Sequence, residues 1–135
     1  HLELDNPVYL SYHDPDSDYW LYCGGSVDRL ATDETTGEKM VVEVKCPYLR
    51  HVFSSYGLCP GIPEIYMPQV HYYLWLTNLR KAMFVAFDPR ATSPLIVRDL
   101  ARSPEWDRRI EAALARFRPY LLAAYAQIRE GRTNG

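Results

Sequence analysis

The 135-residue chain is 47% hydrophobic and 24% charged, the balance of one globular domain with a real core, and it holds no low-complexity segment or internal repeat. It contains no apolar run of membrane-spanning length and no signal peptide, and its three scattered cysteines, Cys23, Cys46 and Cys59, exclude a disulfide framework or zinc site and point to a reducing cytoplasm. The net charge of −2 hides an asymmetry: residues 1–79 carry −7 and residues 80–135 carry +5, and twelve of the fifteen basic residues are Arg. An acidic half that gathers divalent cations, beside an Arg-rich half that holds a polyanion, fits phosphodiester chemistry.

Beginning at His1 rather than Met, the chain is expected to be a fragment or a processed form. Residues 7–12 read as a short strand. Asp14, Asp16 and Asp18 then alternate as at the start of a calcium loop, but Tyr19 stands where that loop needs Gly and Gly25 where it needs Glu, so an exposed turn is expected. Tyr19–Cys23 and Ser26–Ala31 read as strand, with a bulge or bend at Gly24-Gly25. Thr32–Glu38 is polar, contains Gly37 and signals a hairpin loop.

The returning strand, residues 40–46, is rich in β-branched residues. Alternation puts Met40, Val42, Val44 and Cys46 on one wholly apolar face, expected to be the buried one, and Glu43 and Lys45 together on the other. A bare ion pair on a strand is commonly a surface feature, so these two residues need company to mean more. A four-residue loop over Glu34–Gly37 pairs Asp33 with Glu38 and sets Asp28 opposite Glu43, their Cβ atoms roughly 5 Å apart. Two carboxylates that close repel unless a cation lies between them. A slip of one residue would undo this register.

Residues 47–66 are irregular, with a short helix expected around Tyr48–Ser55. Pro68 is well placed as the first residue of a helix running to about Thr77 and closed by Asn78, with Gln69 and Tyr73 sharing a face. Ala82–Asp88 reads as a central strand and Leu95–Leu100 as another. Ser103-Pro104-Glu105 is a helix start. The helix should kink or split at Pro119 and end at Gly131. Tyr72, Tyr73 and Trp75 are assigned to packing, and His71 is not assigned to a metal because no second His or Cys stands at ligand spacing. The Arg-rich C-terminal helix is left open between DNA contact, a subunit interface and an exposed face.

Asp28, then Glu43-x-Lys45 after a hairpin, then Gln69 at a helix start is the pattern of the PD-(D/E)xK nucleases. With Glu-Val-Lys-Cys-Pro (43–47), Tyr-Met-Pro-Gln-Val-His-Tyr-Tyr-Leu-Trp-Leu-Thr (66–77), Phe-Asp-Pro-Arg (87–90) and the C-terminal helix with Pro119, the chain resembles the phage lambda exonuclease and YqaJ-type viral recombinase family over residues 19–130. The resemblance implies an α/β (α+β) restriction-endonuclease-like core, a mixed central β-sheet flanked by helices, in a single domain over 1–135 that lacks the family's N-terminal helical region. It implies a Mg²⁺-dependent exonuclease, with Mn²⁺ able to substitute, that degrades one strand of double-stranded DNA from the 5′ end. Homotrimeric ring assembly and work beside a single-strand annealing protein, in a bacterial or phage-infected cytoplasm, are implied too.

By resemblance, Asp28, Glu43 and the Val44 carbonyl bind metal, Lys45 handles the attacking water, and Gln69 helps position the site. Asp18 is a further candidate acid, and Arg50 and His51 are candidate DNA contacts. Arg29 departs from the family's Gly after the first acid, and is either a phosphate contact or the mark of a drifted site. An endonuclease or resolvase, or a catalytically silent DNA-binding module, are the competing expectations.

Overall fold

The computed structural model describes residues 2–4, 8–12, 16–17, 19 and 22–133. Asp14 and Asp18 lie outside the described residues, and Asp16-Ser17 forms part of a turn. Contacts divide the chain into two compact units, His1–Ser103 and Pro104–Gly135.

Among the described residues the first unit holds seven strands: β1 (Leu2–Leu4), β2 (Val8–Ser11), β3 (Gly24–Val27), β4 (Arg29–Asp33), β5 (Lys39–Lys45), β6 (Lys81–Phe87) and β7 (Leu95–Ala101). Two helices, α1 (Arg50–Leu58) and α2 (Met67–Thr77), lie between β5 and β6, and a 3₁₀ turn, Glu64–Tyr66, leads into α2. The main sheet runs β1-β4-β5-β6-β7, and β2-β3 form a separate ribbon. Among the described residues, β5–β6 is the one parallel pair of the main sheet. A parallel pair needs a long crossover, and the helical segment supplies it.

The β4–β5 hairpin closes in the expected register. Gly37, at φ +71°, turns the chain, the Asp33 amide donates to the Glu38 carbonyl at 3.0 Å, and the ladder runs from Thr32↔Lys39 to Arg29↔Val42. The Asp33 side chain accepts the amides of Thr35 and Thr36 at 2.8 and 3.1 Å, an Asx turn within the loop.

The strand break upstream falls elsewhere than expected. Tyr22 is in a turn, and β3 runs through Gly24-Gly25 without interruption. The bend comes at Asp28, where the chain leaves the ribbon and joins the main sheet. The two glycines serve close approach instead. A Cβ at Gly24 would meet the Tyr9 hydroxyl at 2.2 Å, and one at Gly25 would stand 2.9 Å from the Tyr73 ring.

The buried face of β5 also differs from expectation. Val41 and Glu43, at 0% and 1% exposure, lie on the face packed under the helices, whereas Val44 is 38% exposed and Cys46 is exposed. The main core joins Val41, Ala82, Phe84 and Ala86 of the sheet to Phe53 and Tyr56 of α1 and to Val70 and Leu74 of α2. Met40 and Val42 on the reverse face pack in a smaller cluster with Ala31, Met83 and Val85. This central strand carries buried residues on both of its faces, so an apolar face does not by itself identify the core side.

Helix α2 ends as expected, on Asn78 in the left-handed conformation at φ 57°, a position Asn tolerates better than most residues. Trp75 is buried among Tyr12, Tyr19 and Tyr72, with ring centroids 4.3–5.9 Å apart, which makes these aromatics packing groups. Buried His71 lies on the same helix. The second unit is one helix, α3 (Pro104–Thr133). It continues through Pro119 and Gly131 rather than splitting or ending there. A thirty-residue helix retains enough bonds to absorb the one that proline forfeits.

Candidate active site

Three elements converge on the residues singled out from the sequence. The bend at Asp28 follows β3, Glu43 and Lys45 end β5, and Gln69 lies in the first turn of α2. Asp28 sits one residue beyond the last β4–β5 pair. There its Oδ2 accepts the Val44 amide at 2.8 Å, so a side chain takes the place of a strand partner. The carboxylate thereby ties the bend to β5 at the residue between Glu43 and Lys45.

Lys45 Nζ donates to Glu43 Oε1 and, at 3.4 Å, to Gln69 Oε1. It also lies 4.8 Å from the centre of the Tyr66 ring, a cation–π contact. Tyr66 is held in turn by the Tyr56 hydroxyl at 2.6 Å. Burial pushes the Tyr56 phenol up to about 12, so it stays a neutral partner. Gln69 Nε2 donates to the Tyr73 hydroxyl at 3.3 Å, and that hydroxyl donates to the Ser26 carbonyl at 2.9 Å. Tyr66 and Tyr73 escaped the sequence reading as parts of this site. The shared face of Gln69 and Tyr73 was the available signal for the second; nothing local marked the first.

Glu43 is the electrostatic anomaly. Its side chain is 2% exposed, and Oε2 is buried with no hydrogen-bond partner. Burial raises its pKa, the Lys45 contact pulls it back down, the charge of Asp28 raises it again, and Gln69 lowers it slightly. A buried carboxylate oxygen without a donor costs free energy unless something cationic takes it. Glu43 and Asp28 are the hard oxygen donors that a divalent cation accepts. No group of three or more His, Cys, Asp or Glu side chains able to hold a metal stands together among the described residues.

The candidate DNA contacts are differently placed. Arg29 turns back, its Nη1 donating to the Asp28 carbonyl at 2.6 Å. Arg50 and His51 open α1 and are exposed, and Arg50 Nη2 donates to the Arg90 carbonyl. Arg90 makes three hydrogen bonds to buried Asp88 at 2.8–3.0 Å and reaches the Tyr48 carbonyl at 2.7 Å. These contacts lower the Asp88 pKa. The Phe-Asp-Pro-Arg stretch is thus a clamp that fixes the loop leaving Lys45.

The family model of the YqaJ-like viral recombinase domain matches residues 9–80. No curated protein matches the chain. Among solved structures, LHK-Exo in complex with dAMP is similar at a TM-score of 0.74 and 18% identity, over 98% of this chain and 64% of that one. LHK-Exo, an alkaline exonuclease from Laribacter hongkongensis, is similar in a second structure at a TM-score of 0.67 and 19% identity, over 95% of this chain and again 64% of that one. This chain therefore spans less than two thirds of the length of those structures. The likeness establishes the α+β, restriction-endonuclease-like fold, with its mixed central sheet flanked by helices.

Proposed function

The chain belongs to the YqaJ-like viral recombinase domain family, and from that membership and the site geometry we propose that it is a Mg²⁺-dependent DNA exonuclease acting in recombination or repair. Its substrate is linear duplex DNA, of which it hydrolyses one strand from 5′ to 3′. The observation that carries this reading is the buried, unpartnered Oε2 of Glu43 beside Lys45. That buried oxygen beside Lys45 is where a cation would offset the cost of burying the carboxylate.

In this reading Asp28, Glu43 and the Val44 carbonyl would hold Mg²⁺, with Mn²⁺ as a substitute. When bound, such an ion would supply charge stabilisation at the phosphate and make water a better nucleophile. Asp28 contributes further by fixing the β5 backbone through the Val44 amide. Lys45, held as an ammonium by Glu43, Gln69 and the Tyr66 ring, orients the attacking water and stabilises charge at the phosphate. Gln69 accepts from that ammonium and so orients it. Arg50 and His51, exposed at the start of the helix after Lys45, contact the DNA backbone, and the Asp88–Arg90 clamp holds their loop. Arg29 braces the Asp28 bend. The family resemblance extends the proposal to a homotrimeric ring, a single-strand annealing protein as partner, and a bacterial or phage-infected cytoplasm. Among the described residues no helix is long and apolar enough to cross a membrane.

The test is digestion of 5′-phosphorylated linear duplex with Mg²⁺, alongside Lys45→Ala and Glu43→Ala. Loss of degradation in both variants with the fold intact is expected, and retained activity in either sinks the assignment. Closed circular DNA should survive; its cleavage would make the protein an endonuclease or resolvase. Absence of Mg²⁺ or Mn²⁺ binding by calorimetry would make it a silent DNA-binding module.

A further inference from the structure

We infer that Tyr73 is a positioning residue whose hydroxyl, acting beside Glu43, sets which end of the Gln69 amide faces Lys45. This inference deepens the proposed nuclease function and rests on it for its catalytic meaning, but not for its geometry. The carbonyl of Ser26 can only accept. The Tyr73 hydroxyl therefore spends its one hydrogen there, at 2.9 Å, and has only acceptor capacity left. Its second partner, Gln69, lies 3.3 Å away and must present its NH₂ group. The opposite end of the same amide, Oε1, then faces Lys45 Nζ at 3.4 Å. Lysine carries only donors when charged, so this is the complementary orientation. The flipped amide would set NH₂ against the ammonium and a carbonyl against a hydroxyl already committed to Ser26.

The contact also closes a circuit through all three elements of the site. Asp28 binds β5 through Val44, Lys45 of β5 binds Gln69 of α2, Gln69 binds Tyr73, and Tyr73 binds Ser26, two residues before Asp28. One phenol thus links the strand end that carries the first acid to the helix that orients the lysine. Gly25 makes room for it, since a Cβ there would lie 2.9 Å from Tyr73 Cε1.

The experiment uses Tyr73→Phe in the full chain, with thermal unfolding to follow the fold. Nitrogen-15 NMR measures solvent exchange of the Gln69 side-chain amide protons, and single-turnover kinetics follow a 5′-phosphorylated linear duplex with Mg²⁺. Slow exchange of one Gln69 amide proton is expected in the native protein and fast exchange in the variant. The turnover rate should fall about tenfold, the order of one lost hydrogen bond, with DNA affinity unchanged. A merely structural phenol would alter stability without this split between rate and affinity. Identical Gln69 exchange in the two proteins overturns the inference whatever the activity. Altered exchange with an unaltered rate overturns its link to the reaction. A native protein with no nuclease activity refutes the proposed function alone, and the amide measurement still decides the role of Tyr73. Should the Phe variant not fold, Gly25→Ala displaces the same ring, and the same two readouts apply.

Discussion

Replacing Lys45 by Met keeps the aliphatic stem and removes the ammonium from a pair whose other member cannot escape to water. The Glu43 side chain is 2% exposed and that of Lys45 is 23% exposed. Deleting one partner of a fully buried ion pair costs about 3–5 kcal/mol because the survivor stays charged and desolvated. The solvated lysine end reduces the native pair's worth, so about 1–3 kcal/mol is expected here at pH 8 without metal. The cost should depend on pH. Burial already holds the Glu43 pKa above its ordinary 4.5, and Lys45 pulls it down. Removing Lys45 raises it further. The folded variant then binds a proton that the unfolded chain has released, so its stability falls as pH rises from 4.5 through the folded pKa. Below that window Glu43 is neutral in both proteins and the difference shrinks. Urea unfolding followed by fluorescence of buried Trp75, at several pH values from 4.5 to 8, measures this. A destabilisation equal at all pH values, or a variant more stable than the native protein at pH 8, would refute the account of Glu43 as a buried charge held by Lys45.

Asp28→Asn keeps an oxygen able to accept the Val44 amide, so its stability should stay near native while Mg²⁺ binding by calorimetry and nuclease activity are lost. Asp28→Ala should lose both functions and a further ~1 kcal/mol in urea unfolding, the usual worth of one hydrogen bond. At Asn78, whose φ is 57°, Ala should cost about 1 kcal/mol of backbone strain, and Gly should recover most of that, less the Arg102 contact at 2.5 Å. Asp88, whose pKa the Arg90 contacts hold below 3.8, adds stability that is present above that value and lost as pH falls through the depressed one; acid unfolding of Asp88→Asn should lack this component.

Much of the framework was legible from local chemistry. The polar four-residue loop fixes the β4–β5 register, and Pro68 and Asn78 bracket α2 because each satisfies a backbone demand that few residues meet. The register brings Asp28 beside β5, and the spacing of Glu43 and Lys45 puts both on one face. Those relations span short sequence distances or follow from strand geometry, so the sequence determines them. The tertiary structure decided which face of β5 is inside. Val41 and Glu43 face α1 and α2 because the parallel β6 partner and its helical crossover cover that side, and this converts an apparent surface ion pair into a buried one. It also decided that the chain turns at Asp28 rather than at the glycines, because the two sheets diverge there. The Tyr66 ring beside Lys45 and the Tyr73 hydroxyl between Gln69 and Ser26 belong to the same class. Such contacts join elements far apart in the chain, and no periodicity or local propensity encodes where their atoms meet.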